Sequence, residues 1–198
     1  NYDRLNRLFS LGMDVGWRKQ LVAAVTRPNP GKILDLACGS GDVAGMLRTT
    51  LPKARIVGLD FSRPLLTQAK SRGLTELTEA DAMRLPFADG SFDAVTIAFG
   101  LRNFPHRNSG LREIARVLKP GAVFGLLEFS PPPLPWKIFW NFYLNHLMPL
   151  VAQVLTKQGD SFRYLARSVA EFPSPSALHH ELASAGLKLL FSRSFAAR

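Results

Sequence analysis

The sequence predicts an α/β protein whose core is a mostly parallel, doubly wound sheet. Between residues 32 and 129, short apolar runs rich in branched residues alternate with segments of helical periodicity, a pattern typical of strand–helix units. A turn with two glycines, in "DLACGSGD", follows the first run, and an acidic residue ends the second. Because parallel strands end at a common edge, we expect a ligand site at that edge.

The predicted elements belong to a single domain, as the length of 198 residues favours. A helix at 14–27 is stopped by Pro28 and Pro30, and we expect it to cap one end of the sheet. Within the core we predict strands at 32–37, 55–60, 93–99 and 122–129, buried on both faces, and a crossover helix at 111–118.

The region after the core begins with "SPPPLP" at 130–135, which breaks regular structure. An aromatic-rich apolar stretch at 136–155 contains several polar residues, so we expect an insertion folded over the sheet rather than a membrane span. Helices at 160–172 and 174–186 and a last strand at 187–195 follow. The expected divisions are an N-terminal helical cap (1–31), a cofactor-binding core (32–129), a helical substrate lid (130–186) and a C-terminal strand (187–198).

Cysteine and histidine usage argues against a disulfide and a metal site. Cys38 is the single cysteine, and the four histidines lack the spacing of metal ligands, so no metal is expected. A reducing, cytoplasmic compartment is the expectation. No apolar run reaches the roughly 18 residues of a membrane span, and the first residues, "NYDRLNRLFS", are too polar for a signal peptide.

The formal net charge of +10 indicates an anionic partner. Lysines and arginines are scattered along the chain instead of forming a basic run interleaved with aromatics, so nucleic acid is disfavoured. An anionic membrane surface, an acidic small molecule and a merely solubilising surface charge all remain open.

The glycine turn predicts the type of cofactor. Gly39 and Gly41 allow a ligand to approach the backbone closely, and Asp60, at the end of the second strand, can accept hydrogen bonds from both ribose hydroxyls. Asp42 begins the following helix, where its charge would repel a diphosphate, so a dinucleotide is disfavoured. Asp35 and Asp42 would instead attract the cationic amino-acid end of S-adenosylmethionine. For Asp42, a simple favourable interaction with the helix dipole is the alternative.

A third acidic site lies in "EADAMRLPFADGSFDAV" at 79–95. We expect Asp81 and Ala82 to end a strand, with the Asp81 carboxylate accepting from an adenine amino group. A loop aspartate that caps its own turn is the alternative for Asp81.

Several segments together resemble the UbiE family of menaquinone and ubiquinone biosynthesis C-methyltransferases. They are "YDRLNRLFSLGMDVGWRK", "DLACGSGD", "GLD", "EADAMRLPFADGSFDAV", "IAFGLRNF", "LREIARVLKPGA", "LLEFSPP" and "DSFRYLARSVAEFP". The glycine turn and the acidic strand end are common to most class I methyltransferases, whereas "GLRN" and "DSFRYL" are much more specific to this family. The chain departs from the family in lacking a final hydrophobic strand after "SFAAR" and in carrying Arg167 where the family usually has Glu.

The resemblance implies a Rossmann-like class I methyltransferase with a seven-stranded sheet that binds S-adenosyl-L-methionine and methylates a ring carbon of a polyprenyl quinol. By position, the implied cofactor residues are Ser40, Asp60, Asp81 and Ala82 over the turn of Gly39 and Gly41, and we add Asp35, Phe61 and Ala98 to that site.

The implied chemistry needs a quinol that has lost a hydroxyl proton. Arg102 and Asn103 follow the strand at 93–99, and we expect Arg102 to stabilise the phenolate or orient a water, and Asn103 to donate to a second quinol oxygen. The alternative for Arg102 is an ion pair that ties a helix down. Tyr164 is the third catalytic candidate. Asp160 and Arg163 are second-line candidates, as is His106, for which simple solvation is the alternative.

The sequence allows three interpretations of the aromatic residues in the 136–155 insertion. They could line a groove for the isoprenoid tail, lie in a membrane interface or pack in the core. We expect a lipophilic quinol substrate and contact with the inner face of an anionic membrane, and whether the chain forms a homodimer stays open. The alternative functions are methylation of another small lipophilic phenol or ring, and a cofactor-binding scaffold without catalysis.

Overall fold

The structure is a computed structural model that describes residue 10 and residues 12–130 and 159–195. Its described strands are β1 (Lys32–Leu36), β2 (Arg55–Asp60), β3 (Leu77–Glu79), β4 (Phe92–Ala98) and β5 (Leu118–Leu127). Its described helices are α1 (Asp14–Thr26), α2 (Asp42–Thr50), α3 (Arg63–Ser71), α4 (Arg107–Val117), α5 (Gly159–Ala170) and α6 (Pro175–Ser184), with a short 3-10 turn at Leu101–Asn103.

The five described strands form one sheet in the order β3-β2-β1-β4-β5, and every neighbouring pair is parallel. The chain first builds outward from β1 through β2 to β3, and then returns to place β4 on the other side of β1. This reversal makes the edge beyond the carboxyl ends of β1 and β4 the topological switch point, where open α/β sheets bind their ligands.

Alternating residues of the central strands enter two separate cores. Leu34 and Leu36 pack in one core with Ile114 of α4 and Leu182 of α6. Ile33, which points to the opposite face, packs with residues of α1 and α2, including Val25 and Leu47. Helices therefore cover both faces of the sheet, and the predicted doubly wound α/β class is confirmed.

The core elements agree with the sequence prediction to within a few residues at most boundaries. Strands predicted at 32–37, 55–60 and 93–99 are present, and the strand predicted at 122–129 begins earlier, at Leu118. The pairing of β4 with β5 shifts register between Phe92 and Ala94, since Phe92 pairs with Leu118 whereas Ala94 pairs with Val123. The early start of β5 follows from this irregular pairing, which the apolar pattern does not encode.

The predicted strand at 187–195 is wrong, because these residues lie outside the described strands and helices. An apolar run becomes a strand only when a neighbouring strand supplies backbone hydrogen bonds. Here the run instead leaves Leu190 and Phe191 about 70% exposed, at 72% and 69%. Phe195 stacks against Trp17 of α1, with ring centroids 5.9 Å apart.

The structure differs from the sequence prediction after β3 and does not describe the predicted insertion. Asp81 and Ala82 do not end a strand, since β3 ends at Glu79 after three residues. The 136–155 insertion lies outside the described residues. Among the helices of the described part, none is long and apolar enough to cross a membrane.

Candidate active site

The candidate site begins where β1 and β4 end side by side. Two non-glycine residues just beyond these strands, Ala37 and Phe99, adopt left-handed backbone conformations with φ of 54° and 59°. Gly100 packs closely against Ala37, because a Cβ added there would lie 2.6 Å from the Cβ of Ala37. Such backbone strain often concentrates at functional sites.

The glycine turn after β1 has the conformation that glycine favours. Gly39 and Gly41 have φ of 55° and 86°. A Cβ on Gly41 would lie 2.3 Å from Leu74, whereas a Cβ on Gly39 would meet no atom within 4 Å. The turn is therefore packed against the protein at Gly41 and open at Gly39, where a ligand can approach the backbone.

Asp60 connects the end of β2 to this turn. Its Oδ2 accepts a hydrogen bond from the Gly39 amide at 2.8 Å, and its Oδ1 accepts one from the Ser62 amide at 2.9 Å. Each carboxylate oxygen has a second lone pair for a ribose hydroxyl. The neighbouring Phe61 is 78% exposed and presents an apolar ring beside the carboxylate.

Asp35 lies within the sheet rather than on its surface. It is 1% exposed. Its Oδ1 accepts from Thr96 Oγ1 at 2.8 Å, and its Oδ2 accepts from the Ala44 amide in the first turn of α2 at 3.0 Å. Burial raises the pKa of Asp35 to about 7 despite these hydrogen bonds. The carboxyl group thus joins β1, β4 and α2 directly beneath the glycine turn.

Asp42, the first residue of α2, is engaged by two arginines. Its Oδ1 lies 2.6 Å from Arg72 Nη1, and its Oδ2 lies 3.4 Å from Arg18 Nη1. Arg72 Nη1 also donates to Ser40 Oγ at 2.8 Å. Arg18 is buried and forms an ion pair with the buried Asp14. Neither arginine was predicted from the sequence, although the four-residue spacing of Asp14 and Arg18 on a predicted helix indicated a possible ion pair.

Asp81 follows β3 after one residue and is exposed, and its Oδ1 accepts from the Met83 amide at 2.8 Å. This contact is the turn-capping arrangement that the sequence offered as the alternative. Ala82 is 9% exposed, and Ala98 is the last residue of β4. All three residues lie at the carboxyl edge of the sheet, on either side of β1 and β2.

Arg102 forms a buried ion pair with Glu128, which follows β5. Arg102 Nη1 lies 2.5 Å from Glu128 Oε1, and the two side chains are 1% and 3% exposed. The same nitrogen donates to the carbonyl oxygen of Phe99 at 2.7 Å, and the Arg102 amide donates to Glu128 Oε2 at 3.1 Å. This geometry ties the 3-10 turn to the end of β5, as in the ion-pair alternative for Arg102.

Asn103 and Tyr164 are brought together at the same edge. Both are exposed, and the Tyr164 hydroxyl on α5 donates to Asn103 Oδ1 at 2.9 Å. His106 precedes α4 and is also exposed. Asp160 and Arg163 belong to the backbone of α5, but their side chains lie outside the described part of the structure.

The groups gathered at this edge suit the binding of S-adenosyl-L-methionine. The open backbone at Gly39, the carboxylate of Asp60 and the exposed ring of Phe61 lie together where β1 and β2 end, because Asp60 accepts from the Gly39 amide and precedes Phe61. A carboxylate suits a ribose diol, and an exposed ring suits a purine. No group of three or more metal-ligating side chains occurs among the residues that the structure describes.

Sequence comparison identifies related proteins over almost the whole chain. The model of the ubiE/COQ5 methyltransferase family matches residues 1–197. The chain is 43% identical to a demethylmenaquinone methyltransferase of Thermus thermophilus, over 96% of this chain and 89% of that protein. It is 41% identical to a ubiquinone/menaquinone biosynthesis C-methyltransferase UbiE of Bartonella tribocorum, over 94% of this chain and 76% of that protein.

Solved structures share the fold at lower identity. YcgJ of Bacillus subtilis aligns with a TM-score of 0.63 and 22% identity, over 87% of this chain and 67% of that one. A SAM-dependent methyltransferase of Thermotoga maritima, described as a possible histamine N-methyltransferase, aligns with a TM-score of 0.63 and 19% identity, over 93% and 79% of the two chains. At this identity the likeness shows a shared fold.

Proposed function

Because the chain belongs to the ubiE/COQ5 methyltransferase family, we propose that it methylates a ring carbon of a polyprenyl quinol. As a member of this family the chain is a methyltransferase, and S-adenosyl-L-methionine is its cofactor. The substrate class is supported by the relatives named for demethylmenaquinone and ubiquinone/menaquinone methylation.

The observation that carries the proposed placement of the acceptor is the contact between Tyr164 and Asn103. Their 2.9 Å hydrogen bond joins α5 to the 3-10 turn after β4, next to the cofactor edge. Both side chains are exposed in this structure, and an amide and a phenolic hydroxyl can each donate and accept hydrogen bonds. A quinol carries two ring oxygens, and this pair offers a hydroxyl and an amide for them.

Asp60 would hold the ribose hydroxyls of the cofactor, and the open turn at Gly39 would leave room for the methionine portion. When bound, the cofactor supplies an electrophilic methyl group. Asn103 and Tyr164 would orient the quinol so that its nucleophilic carbon faces this group, and orientation of this kind lowers a bimolecular barrier substantially.

Arg102 has a mainly positioning role in this proposal. Glu128 balances its charge at 2.5 Å, and the pair holds the 3-10 turn that carries Asn103. The negative charge of Glu128 offsets most of the attraction between the Arg102 guanidinium and a phenolate, so Arg102 contributes little to phenolate stabilisation. This interpretation departs from the anion-stabilising role that the sequence suggested.

Contact with an anionic membrane is part of the proposal, because the quinol tail is lipophilic. The net charge of +10 supports such contact. The exposed Leu190 and Phe191, flanked by the exposed Lys188 and Arg193, offer an apolar tip among cations. Vesicle sedimentation at low salt should show tighter binding to anionic than to neutral lipid, and equal binding would contradict the contact.

The proposed reaction is tested with the purified protein, S-adenosyl-L-methionine and two reduced acceptors, a demethylated naphthoquinol and a demethylated methoxy-benzoquinol. Mass analysis should find a product that has gained one CH2 unit from at least one acceptor. The matched control is the oxidised form of each acceptor, which has no hydroxyl to ionise and should stay unmethylated. Equal methylation of a simple phenol would favour the alternative of a general lipophilic acceptor.

A further inference from the structure

Arg72, the first residue after α3, reaches across to the glycine turn from another strand–helix unit. Its Nη1 lies 2.8 Å from Ser40 Oγ, 3.2 Å from the Ser40 carbonyl oxygen and 2.6 Å from Asp42 Oδ1. We propose that Arg72 is a positioning residue that holds the glycine turn in the shape that receives S-adenosyl-L-methionine. This inference rests on the cofactor placement proposed above.

The turn depends on such external restraint because of its composition. Ser40 stands between Gly39 and Gly41, which both have positive φ. Glycine-rich backbone loses much entropy when it is ordered. Within the turn, the Gly41 amide donates to the Cys38 carbonyl oxygen at 2.9 Å, and Asp60 accepts from the Gly39 amide at 2.8 Å. Arg72 fixes Ser40, so the ordering cost is met before the cofactor arrives.

Asp42 connects the contact between Arg72 and Ser40, called the clamp below, to the interior of the protein. While Oδ1 binds Arg72, Oδ2 faces Arg18 at 3.4 Å, and the Arg18 side chain is 4% exposed and paired with Asp14. Asp42 therefore joins the exposed Arg72 to the buried face of α1. Its carboxylate belongs to the support of the turn, which differs from the direct cofactor contact that the sequence suggested for it.

Because Arg72 is exposed, its effect on cofactor affinity can be measured apart from its effect on the stability of the fold. Its side chain is 51% exposed, and ion pairs this exposed contribute little to the free energy of unfolding. Removing Arg72 should therefore change cofactor affinity while the urea midpoint stays close to that of the wild type. A merely structural residue would change both together.

The test is calorimetric binding of S-adenosylhomocysteine to the wild type and to variants of Arg72 and Asp42. Arg72→Ala should bind about tenfold more weakly, because the cofactor must then order the glycine turn as it binds. Arg72→Lys should bind with intermediate affinity, since lysine keeps the charge but loses the planar donor group. Asp42→Asn should also weaken binding, and its effect should not add to that of Arg72→Ala in the double variant.

The matched control is Arg63→Ala, which removes an arginine from α3 that is 81% exposed and pairs with Glu79. This variant should bind like the wild type. Wild-type affinity in Arg72→Ala would overturn the clamp, and so would an equal loss in Arg63→Ala. If Asp60→Ala weakens binding while Arg72→Ala binds like the wild type, only the proposed role of Arg72 fails. If Asp60→Ala also binds like the wild type, the cofactor placement fails as well.

Discussion

At the residue scale, Asp60 makes the most specific prediction about the cofactor. Its carboxylate already orders the turn through the Gly39 amide at 2.8 Å, and the proposed ribose adds hydrogen bonds to a charged acceptor, each worth about 1.5–3 kcal/mol. Asp60→Ala should therefore weaken S-adenosylhomocysteine binding by at least about tenfold, measured by calorimetry. Asp89→Ala, an exposed partner of Arg116, is the control and should bind normally. Unchanged affinity in Asp60→Ala would show that the ribose lies elsewhere.

The ion pair of Arg102 and Glu128 makes a prediction about stability. Arg102→Met would leave the Glu128 carboxylate, 3% exposed, without its countercharge. Breaking one side of a buried pair costs about 3–5 kcal/mol, whereas removing both charges costs much less. In urea unfolding, Arg102→Met should lose about this much free energy of unfolding, and the added change Glu128→Gln should restore part of it.

The control for this pair is Arg167→Met, because Arg167 forms an exposed pair with Glu171 and is 78% exposed. Its effect should stay below about 1 kcal/mol. Equal stability of Arg102→Met and the wild type would contradict the structural role. A separate measurement concerns the reaction: if the double variant transfers methyl groups at the wild-type rate, the charge of the guanidinium is not needed for methyl transfer.

At the element scale, the pKa of Asp35 predicts how β1 responds to pH. Burial raises this pKa from 3.8 to about 7 in the folded protein, while the unfolded chain titrates near the ordinary value. Between these two values the folded state holds a proton that the unfolded state has lost. The stability from Asp35 is therefore full below pH 4 and falls by up to about 1.4 kcal/mol per pH unit as pH rises towards 7.

The measurement is the free energy of unfolding of the wild type and of Asp35→Asn at several pH values from 4 to 8. Because asparagine does not titrate, the free energy of unfolding of the wild type should fall relative to that of the variant as pH rises. The prediction concerns this change with pH and not which protein is more stable at one pH. Asp89→Asn, at an exposed site, should follow the wild type. Parallel curves for the wild type and Asp35→Asn would contradict the raised pKa.

The elements of the core were largely predictable because their signals are local. Branched apolar runs marked β1, β2 and β4, and glycines marked the turn after β1. The error at 187–195 arose because a strand needs a partner that a local pattern does not reveal. Residues after β3 were misplaced for a related reason, since a strand of three residues carries little periodicity.

The candidate site was predictable where a side chain follows a strand, and less so where partners come from distant segments. Asn103 and Tyr164 were both chosen from the sequence, and the structure joins them. Their contact spans 61 residues, and the pair of Arg102 with Glu128 spans 26. Arg72, which reaches the turn over 32 residues, gave no sequence signal at all.

At the scale of the whole molecule, the two proposed ligand regions lie at the carboxyl edge of the parallel sheet. The turn after β1 and the acid that ends β2 form the proposed cofactor region, and the turn after β4 with α5 forms the proposed acceptor region. Because β1 and β4 are neighbours at the switch point, the proposed regions lie close to each other. In this proposal the fold itself places the methyl donor beside the ring acceptor.

The central claim is that the transferred methyl group ends on a ring carbon. The most direct test uses S-adenosyl-L-methionine with a CD3 group, a demethylated quinol under reducing conditions, and tandem mass spectrometry of the product. Methylation at carbon would keep the label with the ring fragment, remove one ring hydrogen and leave both hydroxyls titratable. A label on oxygen, with the ring hydrogen retained, would contradict methylation at carbon.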